Sequence, residues 1–176
     1  MDVDSYCIYP RPRCRAWLDA LRAEEVTSQR FEEYGGKTMK TQQVEKKEFG
    51  FSRTVETAFD EATERTREAL KEEGFGVLSE IRLDEKLKEK LGVDFRRYVI
   101  LGACNPPLAY KTLQEDINIG LLLPCNVIVY EADDKNKSVV AVVDAQAMLS
   151  VVGENSAMNE VAKEVNERLR RVIEQI

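Results

Sequence analysis

Cys125-Asn126-Val127-Ile128-Val129-Tyr130-Glu131, then Asp133-Asp134-Lys135-Asn136-Lys137, then Ser138-Val139-Val140-Ala141-Val142-Val143-Asp144 decide the fold. Two runs rich in β-branched and aromatic residues flank a short stretch of Asp, Asn and Lys. Such runs suit a pleated surface, and the polar stretch suits a tight reversal, so the segment predicts a β-hairpin. Upstream, Tyr98-Val99-Ile100-Leu101 is apolar at every position, which predicts a central strand from about Arg97 to Cys104. Phe75 to Leu83 predicts another strand, with Phe75, Val77 and Ile81 on one side. Phe49 and Phe51 alternate with Gly50 and Ser52, the two-residue period of a half-buried strand.

The helical signals lie between and after these strands. Thr54 is placed to cap a helix with Glu56 in its first turn, and Val55, Ala58, Phe59, Ala62, Thr66, Ala69 and Leu70 recur at helical spacing up to Gly74. The last helix has the clearest stripe: Met158, Val161, Ala162, Val165, Leu169, Val172, Ile173 and Ile176. Asp84 to Leu91 and Leu108 to Glu115 read as short helices, the latter with proline in its first turn. Ala145 to Val152 reads as a single helical turn, and Ile117 to Leu123 as a buried loop. The order β-α-β-β-β-β-α predicts an α+β domain whose antiparallel sheet carries both long helices on one face. The other face must meet solvent or a partner, and strands this apolar point to a homodimer, by sheet packing or edge pairing.

Residues 44–176 form this domain. Residues 1–43 read as an N-terminal extension. Met39 stands just before the patterned region, so the upstream stretch is either a start-site artefact or a real arm, disordered or packed on the domain or a partner.

Composition narrows the function. The 176 residues are 43% apolar and 33% charged, as in globular proteins. No run approaches the roughly 18 apolar residues of a membrane span, and the opening Met-Asp-Val-Asp predicts no signal peptide. A cytoplasmic protein is expected. A net charge of −6 and a pI near 5.0 disfavour binding to nucleic acid. The chain has no histidine, which excludes Ser-His-Asp and Cys-His catalysis and imidazole metal ligation. None of the four cysteines (Cys7, Cys14, Cys104, Cys125) sits in a Cys-x-x-Cys pair, so zinc-ribbon and thioredoxin motifs are absent. No cofactor motif is present.

The candidate site gathers around Cys104 and Cys125, at the end of one strand and the start of the next. Adjacent ends of an antiparallel pair bring Cα atoms within roughly 4.5–5.5 Å when directly opposed. Cys104-Asn105-Pro106 and Pro124-Cys125-Asn126 echo each other. The amides of Asn105 and Asn126, and a helix N-terminus after Cys104, could stabilise a thiolate or a small anion. Lys111 could reach the same pocket. Against this, two small buried hydrophobes at sheet ends are the commonest role of free cysteine.

Glu73-Gly74-Phe75-Gly76-Val77-Leu78-Ser79-Glu80-Ile81, Ile100 to Pro106 and Ile119 to Tyr130 together resemble the domain of unknown function 302 family. The resemblance runs from about Phe49 to Ile176 and leaves out residues 1–47. It implies a β-α-β(4)-α fold of TATA-binding-protein-like topology and a dimer, and it supplies no function. The chain therefore reads as a binding domain, taking a small ligand or a protein partner near the Cys104/Cys125 end of the sheet. The competing class is a thiol enzyme or redox sensor, with Cys104 as nucleophile and Cys125 as resolving thiol. A third is a carrier of a soft metal such as Cu(I).

Overall fold

The computed structural model describes residues 44–47, 49–150 and 155–176. The expectations for the N-terminal extension lie outside these residues. One six-stranded antiparallel sheet is formed by β1 (Glu45–Lys47), β2 (Gly50–Val55), β3 (Gly76–Arg82), β4 (Tyr98–Cys104), β5 (Cys125–Glu131) and β6 (Ser138–Val143). Its order is β1-β2-β6-β5-β4-β3, so the fully apolar strand β4 is interior, as predicted. The helices are α1 (Phe59–Glu72), α2 (Leu83–Leu91), α3 (Pro106–Glu115), α4 (Ala145–Leu149) and α5 (Ser156–Gln175), with a 3-10 turn at Ile117–Leu122. The β-α-β(4)-α frame is present, with β1 added at one edge.

Both long helices lie on one face of the sheet. Val99, Leu101 and Ala103 of β4, Val127 and Val129 of β5, and Val140 and Val142 of β6 point into this layer. They pack with Leu70 of α1 and Leu169, Val172 and Ile173 of α5, all buried. Each such side chain contributes roughly 1.5–3 kcal/mol on burial. Arg53 of β2 ties the layers further: its guanidinium donates to the carbonyl oxygens of Ile173 and Glu174 at 3.0 and 2.8 Å.

Several local expectations are corrected. Thr54 and Val55 belong to β2, where they pair with Val139 and Ser138, and α1 begins only at Phe59 without a side-chain cap. Strand pairing satisfies more backbone groups there than a cap could, so the helical spacing of Val55 is incidental. Phe51 is buried, but Phe49 sits in the turn between β1 and β2 and is 80% exposed. In β3 a bulge between Val77 and Ser79 shifts the alternation. Ile81 thereby moves to the uncovered face, opposite Ile100, while Glu80 moves to the helical side and binds Arg67 of α1. The segment read as a buried loop is the 3-10 turn. Only Ile119 is buried in it, and Ile117 and Leu121 are exposed.

The face that no described helix covers carries Tyr98, Ile100, Ile128, Tyr130, Val139 and Ala141, all half-buried, with Ile81 at its rim. Tyr98 and Tyr130 are ladder partners whose rings stack at 5.6 Å between centroids. Among the described residues, no helix is long and apolar enough to cross a membrane.

Candidate functional site

The strands place one set of ends together: Gly50, Gly76, Cys104, Cys125 and Val143 mark this edge of the sheet. The chain leaves β4 at Cys104, makes α3 and the 3-10 turn, and re-enters the sheet at Cys125. Gly102 lets this return path close down on the sheet. A Cβ there would lie 2.7 Å from Cγ of Pro124 and would also strike the Ser79 hydroxyl, so only glycine fits.

The cysteines are not directly opposed. Cys125 pairs with Ala103, and Cys104 pairs with Gly76 of β3. They are offset by one residue, and a pleated ladder sends consecutive side chains to opposite faces. Both are free thiols, Cys125 buried and Cys104 half-buried. They remain near enough that ionising one disfavours ionising the other. Burial pushes the Cys104 thiol up, and burial reinforced by Cys104 pushes Cys125 up to about 11.

This reverses the activation expected from the helix start, and the sequence explains why. Pro106 and Pro107 occupy the first two positions of α3 and carry no N–H. The next donor, the Leu108 N–H, is taken by Asn105 Oδ1 at 3.3 Å. The helix end that should have stabilised a thiolate has spent or lost its first three donors.

Beside the two cysteines lies a half-open cavity of about 40 Å³, lined by the sheet end, α3, the 3-10 turn, α4 and α5. Cys104, Asn105, Leu108, Ile119, Cys125 and Met148 are among its walls, with Val161, Ala162 and Val165 from the α5 stripe. Among the described residues, no charged side chain lines it.

Of the residues singled out from the sequence, Cys104, Asn105 and Cys125 meet at this cavity. Asn126 is exposed and is not part of its wall. Lys111 is also exposed and faces a separate groove between α3 and α5, with Glu115, Glu160 and Glu164. Asp144, a carboxylate at the end of a strand, is a helix cap. Its Oδ1 accepts from the N–H groups of Gln146 and Ala147 at 3.0 Å and from Asn166 Nδ2 at 2.8 Å. Asn166 Oδ1 in turn accepts from the Ala145 N–H at 2.7 Å, which fixes α4 against α5 and builds the far wall of the cavity. Met148 and Ile119 were the residues sequence reasoning missed. Both sit in short irregular segments with no period to mark an inward face. Among the described residues, no group of three or more His, Cys, Asp or Glu is arranged to hold a metal ion.

No curated protein matches the chain. The solved structure of an uncharacterized conserved protein DUF302 from Bacillus stearothermophilus is similar to it, with a TM-score of 0.67 and 33% sequence identity. The match covers 73% of this chain and 98% of that one. The family model described as domain of unknown function DUF302 matches residues 51–176, which take in β2 but for its first residue, β3 to β6 and the five described helices, and the chain belongs to the DUF302 family.

Proposed function

We propose that the domain is a cytosolic binding module that holds a small guest in the slot beside Cys104 and Cys125, and that it does no thiol chemistry of its own. The observation that carries this reading is the slot itself: a cavity walled by five separate elements, free of charge, with two protonated thiols and no activating donor. Packing normally closes such a space, since interiors approach crystal density. A reactive thiol needs the opposite surroundings, electropositive and partly open. Free thiols also suit a reducing compartment.

Xenon tests the reading, because it enters small dry cavities without needing polar contacts. Under xenon pressure, amide and methyl resonances of Leu108, Ile119 and Val161 are expected to shift together and saturably. Ala109→Leu, which fills the slot from α3, should abolish the shifts. Shifts that are absent in the wild type, or unchanged in the filled variant, contradict the proposal.

A specific observation favours a second contact. The uncharged face built on Tyr98, Ile100, Ile128 and Tyr130 is covered by no described element of the chain, and we infer that a second copy packs there. Sedimentation should then show a dimer that Ile128→Lys converts to monomer, with the fold retained. A wild-type monomer at micromolar concentration contradicts the inference.

A further inference from the structure

The slot shares two of its walls with the groove between α3 and α5. Thr112 of α3 and Val161 of α5 line both, so the two spaces follow one another along the same helix pair. Their characters differ. The slot is lined by apolar side chains, whereas the groove carries charges of both signs: Lys111 and Glu115 on α3, and Glu160 on α5. Among the described residues, none of these three takes part in a hydrogen bond or ion pair, while Glu164 of the same groove is held by Arg168 at 2.7 Å. We propose that the guest is a free α-amino acid with a short branched aliphatic side chain, the side chain seated in the slot and the ammonium and carboxylate groups in the groove. This rests on the slot being a binding site, as proposed above, and names the class of what it binds.

Size selects the side chain. A cavity of about 40 Å³ holds roughly three water-sized spheres, enough for the branched end of valine, leucine or isoleucine and too little for a ring. It is also too small for a whole ligand, so the polar remainder of the guest must lie outside it. The groove has that room: at about 350 Å³ it reaches the roughly 300 Å³ at which sites for small molecules begin. Charge selects the head. A lone cation or a lone anion meets a like charge in the groove as well as an opposite one, but a zwitterion offers each side chain its complement. Lys111 faces the carboxylate as a compact point charge, and Glu160 accepts from the ammonium. In an α-amino acid both ionised groups are one bond from the carbon that bears the side chain. The apolar end can therefore pass Thr112 and Val161 into the slot while both ions stay in the exposed groove and keep much of their hydration. Exposed pairs of this kind contribute modestly, so the slot supplies the affinity and the groove supplies the choice of head group.

The test titrates the full isotope-labelled chain with L-leucine at millimolar concentration and reads amide shifts. Resonances of the slot (Leu108, Ile119, Met148) and of the groove (Lys111, Glu160) should move together and saturate with one dissociation constant. L-alanine leaves the slot unfilled and should bind at least tenfold more weakly, and L-phenylalanine should not saturate under the same conditions. Lys111→Gln, at an exposed position, should weaken L-leucine about fivefold and should not weaken leucinamide, which lacks the carboxylate. Glu160→Gln, also exposed, should weaken L-leucine about fivefold and should not weaken isocaproate, which lacks the ammonium. The proposal is overturned if L-leucine gives no saturable shift, if the shifts are confined to the groove, or if L-alanine binds as tightly as L-leucine. Full L-leucine affinity in either variant overturns it as well. Xenon uptake in a protein that ignores L-leucine would leave the slot as a site and reject the amino acid. Failure of both would reject the slot.

Discussion

The two ends of the sheet are built on opposite principles. At the end marked by Val55, Arg82, Tyr98 and Glu131, closure is electrostatic. Arg97 pairs with Asp60, Arg82 with Asp84 at 2.9 Å, Lys137 with Glu56 at 2.9 Å and Arg96 with Asp133 at 3.3 Å. The Arg82 and Arg97 guanidinium groups also lie over the Phe59 ring, at 5.2 and 4.4 Å from its centroid. At the end marked by Cys104 and Cys125, charges such as Asp144 and the Glu73–Arg171 pair stand behind the wall, and the described side chains that line the gap are uncharged and leave a cavity. The difference separates stability from function. Ion pairs at an exposed rim can shift without emptying a core, whereas an unfilled apolar space loses contact energy and persists only where something else maintains it.

Substitutions can break this contrast. The largest effect is expected in the layer between the two ends. Leu101→Ala, at a fully buried position of β4, should cost about 3–4 kcal/mol in denaturant unfolding. Next comes the brace behind the slot. Asn166→Ala leaves the Ala145 N–H without its acceptor and removes one of the three donors to Asp144 Oδ1, and should cost about 2–3 kcal/mol. It should also loosen α4 enough to speed amide exchange at Met148 and Leu149.

Titration sharpens the same contrast. The folded state holds Cys125 protonated up to about 11, against an ordinary value of 9.0. Its contribution is therefore fully present below pH 9 and is lost as the pH rises from there through 11. Stability should fall across that window by roughly 3 kcal/mol. Tyr98 and Tyr130 are also raised by burial and act in the same direction. The Cys125 share is the part of the slope that Cys125→Ala removes. The smallest effect is expected at the charged end: Asp60→Ala should cost under about 1 kcal/mol, and less in high salt, because the pair is exposed.

Much of the frame was legible in the chain. The hairpin between Cys125 and Asp144, the interior position of β4 and the stripe of α5 all follow from periodicity that burial enforces. What was not legible is what one inserted or one displaced residue does. The bulge at Val77–Ser79 exchanges the faces of Glu80 and Ile81, and no local pattern announces it. The assignment of Thr54 as a cap failed because a strand partner more than eighty residues away competes for the same backbone. At the site, the echoing motifs point to Cys104, Asn105 and Cys125, which line one cavity, and burial raises both thiols where a free helix start would lower them. Pro106 and Pro107 were seen as helix starters, and their missing N–H groups were not carried through to the thiols. Met148 was missed because a single turn of helix has no periodicity to read.

The central claim is that Cys104 and Cys125 are neutral walls of a binding slot. Alkylation of the native protein against pH, resolved by site with mass spectrometry, tests it most directly. Both thiols should label more slowly at pH 7 than the same thiols in the unfolded chain, with rates rising only above about pH 9. Rapid labelling of either one with a midpoint below the free-thiol value of about 8.5 would show an activated thiolate and contradict the account.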